Sequence, residues 1–280
     1  MLLVCNRRTR RHPCVRQDGS VPSRATAAES LIEQSRTLLT WLCELPDEAY
    51  PRPTVLAGWD VRMLVAHLVL IERGTVRVLG QPSSEKPLSP YAFVARYRPS
   101  VEAIAASTAE TAGELTGPEL VVALGEAVDA AEVALAGSYA PVLQAPRGPF
   151  RAEDWIETRI IELVVHADDL NRTFPEREPI PVVRSALGRT MRSLAQMLAD
   201  AHPGRSVEVR IPPYAAVQCG LGDPGPTHTR GTPPNVVETD ALTFLRLATG
   251  RTTWSDALVA GKVHASGLRA DLSSALPLLS

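Results

Sequence analysis

Lysine is nearly absent from this chain. Of 29 basic residues only Lys86 and Lys262 are lysines, so almost all positive charge is guanidinium. The basic residues are balanced by 31 acidic ones and the net charge is −2. No global basic field argues for nucleic acid, and no acidic block argues for a solvating tail. Cysteine is sparse as well. Cys5, Cys14, Cys43 and Cys219 form no C-x-x-C pair and no spaced framework, which excludes a disulfide scaffold. Cys43 falls in an apolar helix and Cys219 in an apolar strand, so both read as inert core thiols. No run approaches the roughly 18 apolar residues of a membrane span. The opening MLLV is too short for a secretory h-region, and charged residues follow soon after. A reduced, cytoplasmic protein that engages neither membrane nor nucleic acid is expected.

Hydrophobic residues make up 45% of 280, enough for a sizeable core in one large domain or two ordinary ones. Residues 1–20 have no apolar period. Despite the cluster Arg7, Arg8, Arg10 and Arg11, they read as a disordered extension, or as sequence ahead of a true start near Val21. Helical spacing follows over 25–45, ended by the proline-rich piece 46–53, and again over 58–79, with Asp60 as N-cap. Residues 81–90 and 141–149 read as loops. Between them 91–136 is alanine-rich and helical, with a break at Gly117-Pro118. Two more helices are expected over 151–172 and 182–201.

After His202 the pattern changes. VEVRIPP alternates as a strand, AAVQCG and THTRG read as short strands across a Gly/Pro turn, and NVVETD leads into the helix ALTFLRLATG, closed by Gly250. A helix over 254–259, a strand VHASG and a terminal helical turn in RADLSSALPLL complete the chain. The fold class is α+β: a helical region over 21–203, then a small mixed region over 204–280.

The chemistry concentrates on 151–172. Glu162 and His166 stand four apart and share a helical face, with Arg159 and Asp169 as polar neighbours and isoleucine and valine on the flanks. A carboxylate, an imidazole, a guanidinium and an aspartate against an apolar wall cost free energy unless paired or bound to something. Glu-x-x-x-His alone is weak evidence for a metal, since many solvated helix faces carry one. A third candidate shifts the balance: His67, centred in the apolar helix 58–79. Two histidines and one carboxylate form the ligand set of catalytic zinc sites with an open fourth position, and bundles build such sites from inward side chains of facing helices.

The segment GWDVRMLVAHL, followed by the helix carrying ELVVHADDL, resembles the mycothiol-dependent maleylpyruvate isomerase family. The resemblance implies a DinB-like four-helix bundle whose zinc is held by His67, Glu162 and His166. It also implies mycothiol as thiol cosubstrate, a small electrophilic substrate and an isomerase or thiol-transferase activity. The arginine and alanine bias fits an actinobacterial source. From VEVRIPP onward, and most of all in TRGTPPNVVETD, the chain resembles a sterol-carrier-protein-like domain. In the family that domain contributes an arginine to the site. Arg210, Arg230 and Arg269 are the candidates, and Arg230 is assigned to substrate binding. Asp169 and Arg159 are the candidate catalytic residues. Asp169 is suited to orienting His166 or handling a proton, and Arg159 to pairing with Asp169 or holding a substrate carboxylate. Trp59 reads as a packing anchor. A second function stays open: a lipid or sterol carrier with a structural metal. An open ligand position facing an interdomain cleft favours the enzyme; an apolar tunnel within the C-terminal domain favours the carrier. A monomer or weak dimer is expected.

Overall fold

The computed structural model describes residues 25–221 and 234–279. The expected N-terminal extension, the strand expected at THTRG and Arg230 lie outside the described residues.

Four long helices make the bundle: α1 (Ala27–Leu42), α2 (Val61–Leu79), α5 (Gly117–Ala136) and α6 (Ala152–Thr173). Local chemistry sets where they start. Thr26 and Glu29 form a capping box on α1, Thr116 and Glu119 do the same on α5, and the Asp60 carboxylate accepts the Met63 N–H on α2. Each helix points a leucine- and valine-rich stripe inward. Leu31, Leu38, Leu64, Leu68, Leu120, Ile160 and Leu163 are fully buried. A short helix α3 (Pro90–Val94) precedes α4 (Val101–Glu114), which lies along α2. Of the 14 residues of α4 only Thr108 and Ala112 are buried, so its apolar side chains are not consumed by the core.

Residues 141–149, expected as a loop, instead form most of a hairpin. Strand β1 (Val142–Ala145) pairs antiparallel with β2 (Gly148–Arg151), Ala145 opposite Gly148. The turn between them is only Pro146-Arg147. Gly148 takes a φ of +129°, which L-residues rarely adopt, so its lack of a Cβ permits the tight return. The chain then runs from β2 straight into α6.

Helix α7 (Arg184–Ala201) packs on α1 and α6 with one side and on the C-terminal strands with the other. The four-stranded sheet has the order β4-β3-β5-β6. Strand β3 (Val207–Ile211) runs antiparallel to β4 (Ala215–Cys219) and parallel to β5 (Val236–Thr239), and β5 runs antiparallel to β6 (Val263–Ser266). Strand β5 was expected only as a lead-in to the next helix. Its pairing with β3 and β6 supplies the hydrogen bonds that four residues could not hold alone. Helix α8 (Ala241–Ala248) is capped by Asp240, and Gly250 follows it with a φ of +70°. Helix α9 (Trp254–Val259) begins at Thr253. Residues 268–279 form turns rather than the expected helical turn. Among the described residues no helix is long and apolar enough to cross a membrane.

Candidate metal centre

Helices α2 and α6 pack side by side and bring His67, Glu162 and His166 together, with one candidate ligand atom from each within 4.8 Å of the others. The Glu162 Oε2 lies 3.4 Å from His166 Nε2 and 3.7 Å from His67 Nε2. Both imidazoles are buried, and His166 Nε2 and His67 Nδ1 have no hydrogen-bond partner. A buried ring nitrogen without a partner is costly in a protein interior. His166 Nε2 faces the Glu162 carboxylate, as does His67 Nε2, so that the three side chains are placed to ligate one cation. The donor set therefore fits a divalent metal of the zinc type.

Two of the three protonation states, those of Glu162 and His67, favour that use. Burial opposes ionisation of Glu162, but the two imidazoles and the Arg159 guanidinium outweigh it and hold its carboxyl well below the usual range. Burial, with the charges of His166 and Arg159, lowers His67 and keeps it neutral, as ligation requires. Burial acts on His166 too, yet Asp169 and Glu162 overcome it and raise that imidazole.

Behind the triad stands a second layer. Asp169 is fully buried, and its Oδ2 lies 3.1 Å from His166 Nδ1, which leaves Nε2 for the cluster. The Arg251 guanidinium donates to the same carboxylate, Nη2 to Oδ2 at 3.0 Å and Nε to Oδ1 at 3.3 Å. Arg251 lies just after α8, where the left-handed turn at Gly250 redirects the chain toward α6. The neighbouring Asp168 is gripped by Arg246 of α8, at 2.6 and 2.8 Å. Two adjacent aspartates of the bundle thus hold two arginines of the C-terminal region, and one of those contacts supports a histidine of the triad.

The triad opens on a cavity of about 370 Å³. Its walls include Trp59 of the α2 entry, Val94, Val101 and Ile104 of α3 and α4, Arg147 of the hairpin, Arg159 of α6, and Thr249, Arg251 and Leu279 of the C-terminal region. Trp59 also packs edge-on against His67, with ring centroids 5.4 Å apart.

Several expectations change here. Arg159 does not pair with Asp169, whose oxygens are taken by His166 and Arg251. It stacks over Trp155 at 4.3 Å and approaches Glu162 at 3.8 Å. Asp169 is absent from the cavity wall, so it touches a candidate ligand and not a substrate. Arg210 pairs with Glu208 at 2.6 Å and Glu238 at 4.0 Å on the sheet. The Arg269 backbone N–H donates to Asn235. Among the described residues the C-terminal arginine at the cavity is Arg251, which was not among the candidates; Arg230 lies outside the described residues. Arg147 was likewise missed. Cys43, expected in the core, is exposed at the end of α1, whereas Cys219 is buried as expected.

The family model described as the mycothiol maleylpyruvate isomerase N-terminal domain matches residues 31–171, half of the chain. The chain belongs to this family. A second model, described as a bacterial SCP ortholog, matches residues 183–278 and takes in α7 as well as the sheet. Two solved structures share the fold of this family member. They are the crystal structures of the mycothiol-dependent maleylpyruvate isomerase, at 16% identity, and of a histidine-to-alanine mutant of it, at 17%. Each alignment has a TM-score of 0.56 and covers 86% of this chain and 91% of the other. No curated protein matches the chain.

Proposed function

We propose that this protein is a zinc-dependent enzyme that uses mycothiol as cosubstrate to isomerise, or to transfer the thiol to, a small electrophile. The observation that carries the reading is the His67, Glu162 and His166 cluster opening on a cavity walled by both the bundle and the C-terminal region. An interdomain cavity favours the enzyme over the lipid carrier. We further assign the bundle to residues 21–203 and the sterol-carrier-like unit to 204–280, with residues 1–20 outside both, in a cytoplasmic, reducing setting.

In this reading His67, Glu162 and His166 hold the zinc, which supplies a positive centre that lowers the pKa of a thiol at its open position. The remaining work belongs to the chain. Asp169 accepts from His166 Nδ1 and so fixes the tautomer that keeps Nε2 free, and Arg251 holds Asp169 in place. Both are positioning residues. Arg159 and Arg147 add fixed positive charge at the cavity wall and favour an anionic substrate there. Among the described residues no cysteine lines the cavity. Burial pushes the Cys219 thiol up to about 11, and burial and Glu44 raise Cys43. Neither Cys43 nor Cys219 is placed to act as the reacting thiol, which supports an external thiol in that role.

The test is turnover of cis-enone acids by zinc-loaded protein, with the trans isomer or the thiol adduct separated and quantified by chromatography. Turnover that needs both mycothiol and zinc is expected. Equal turnover without thiol, or none when zinc occupies the site, would reject the reading.

A further inference from the structure

Among the described residues the hairpin arginine has no counter-ion. Arg147 sits at the tip of the β1–β2 turn, its guanidinium carbon 4.2 Å from the Phe93 ring centroid and 5.1 Å from that of Tyr97. Among the described residues no carboxylate lies within ion-pairing distance of it. Its Nε is buried without a hydrogen-bond partner. Aromatic faces attract a guanidinium but leave its N–H donors unused. The charges that act on it most are Arg159, which repels it, and Glu162. Burial and that repulsion bring Arg147 down to about 10. Once Glu162 serves a metal, the cavity wall carries two guanidiniums without a free carboxylate between them. Arg251 does not change this count, since Asp169 neutralises it. A desolvated cation of this kind is stabilised by an anion arriving in its plane.

Another part of the wall is apolar and half-exposed. Val94 ends α3, and Val101, Ile104 and Ala105 lie on the first turns of α4, the helix that gives only two residues to the core. Val101 remains 41% exposed. A small dianion would leave this wall wet. A ligand that puts hydrocarbon against it and an oxyanion on Arg147 uses both features.

We infer that the cavity binds an amphipathic monocarboxylate, with its carboxylate on Arg147 and its hydrocarbon body against Val94, Val101 and Ile104. That this ligand is the electrophile, an unsaturated acid with an apolar tail, rests on the function proposed above; the binding itself does not.

Calorimetric titration of zinc-loaded and metal-free protein with hexanoate and cinnamate, their primary amides, and succinate tests this without thiol or turnover. Each acid should bind roughly tenfold or more tightly than its amide, as a charge-assisted contact implies, and more tightly than succinate. Arg147→Gln should erase the acid–amide difference while retaining zinc stoichiometry, and Arg147→Lys should keep part of it. Ile104→Asp should weaken hexanoate and cinnamate together. Amides that bind as well as acids, succinate that binds better than hexanoate, or an acid preference unchanged in Arg147→Gln would each overturn the inference. The last result, if confined to zinc-loaded protein, would mean that the metal holds the carboxylate. Protein that binds the acids but never turns over with mycothiol would instead reject the enzyme reading alone. Should Arg147→Gln fail to fold, Arg147→Lys on metal-free protein decides: an acid–amide difference as large as that of the unmodified metal-free protein would overturn the inference.

Discussion

Glu162 and Glu72 are glutamates on the inner faces of neighbouring helices, Glu72 sealed from bulk water and Glu162 half-buried at the cavity wall, and their surroundings drive them in opposite directions. Glu162 meets two imidazoles and a guanidinium, and its carboxyl stays ionised. Glu72 sits between α1 and α2 at 0% exposure, with one hydroxyl, that of Ser35, for company. Burial dominates there and raises it to about 7, although Ser35 and Arg159 pull the other way. The lesson is that a buried carboxylate does not itself mark a function. What marks the α2–α6 cluster is that its cation-binding atoms converge on one point and leave ring nitrogens unsatisfied. Around Glu72 only Oε1 is hydrogen-bonded and Oε2 is buried without a partner, but among the described residues no second metal-binding side chain converges there. A neutral Glu72 can donate to Ser35 Oγ, whose own hydrogen then goes to the Leu31 carbonyl at 2.9 Å.

The sharpest way to break the comparison is Glu162→Gln. It keeps the shape and removes the only anionic donor of the triad, so two neutral imidazoles must hold a dication. Unmodified protein should melt higher with zinc than after chelation, by the equivalent of about 4 kcal/mol at zinc a thousandfold above its dissociation constant. The variant should lose nearly all of that difference. Equal zinc-dependent stabilisation in both proteins would show that Glu162 is not a ligand.

The same exchange at Glu72 should have the opposite sign. A carboxyl whose folded pKa is raised contributes stability that is full below its unfolded value near 4.5. That stability is lost as pH rises to the folded value of about 7. Above that, the folded state carries a buried charge. Glu72→Gln removes the titration, so the variant should be more stable than the parent at pH 8 by ~2–3 kcal/mol and no more stable at pH 4.5. Chemical denaturation at the two pH values checks this. A Glu72→Gln gain that is independent of pH would show that the group does not titrate in that window.

The two aspartates of α6 offer a finer contrast. Asp169→Asn weakens the support behind His166, and metal affinity should fall roughly 10–100-fold, the usual effect of losing such a partner. Asp168→Asn loosens Arg246, which touches no histidine, and should reduce stability while leaving metal affinity within about twofold, since a lost contact at one site adds little at another that shares no partner. Competition with a chromophoric chelator separates the two. Similar losses in both variants would mean that the clasp acts only through docking of the C-terminal region.

Much of this was legible in the sequence because it is local or periodic. The four-residue spacing of Glu162 and His166, the apolar setting of His67, the Asp60 cap and the span of α9 are carried by neighbours along the chain. What was missed depends on partners far away in sequence. Arg251 is 82 residues from Asp169, and nothing around it distinguishes it from an arginine that ends a helix. A signal was available: Asp168 and Asp169 both fall in an otherwise buried helix, so two cations had to meet them. The hairpin was missed because APVLQAPRGP is rich in turn-forming residues, and four-residue strands show no alternation long enough to read. With it went Arg147. Glu72 was overlooked because one glutamate in an amphipathic helix is ordinary; only the packing of α1 makes it unusual.

The smallest effect expected is that of Ser35→Ala, and it addresses what sets the Glu72 titration. The Ser35 hydroxyl has a single hydrogen and two acceptors, the Leu31 carbonyl and Glu72 Oε1, the latter at 2.6 Å. Below the folded pKa the chain from Glu72 Oε1 through Ser35 to Leu31 is complete, and only Glu72 Oε2 stays without a partner. Above it, Ser35 must turn its hydrogen to the carboxylate, and the Leu31 carbonyl keeps only its helical bond. Removing the hydroxyl therefore costs about 1 kcal/mol at low pH, the value of one buried hydrogen bond. It costs somewhat more at high pH, where a charge loses its only donor. The folded pKa of Glu72 should then rise further, and the pH-dependent loss of stability should extend to higher pH than in the parent. A stability profile whose midpoint stays in place would mean that burial alone sets the titration, and that Ser35 serves the α1 backbone and not the carboxylate.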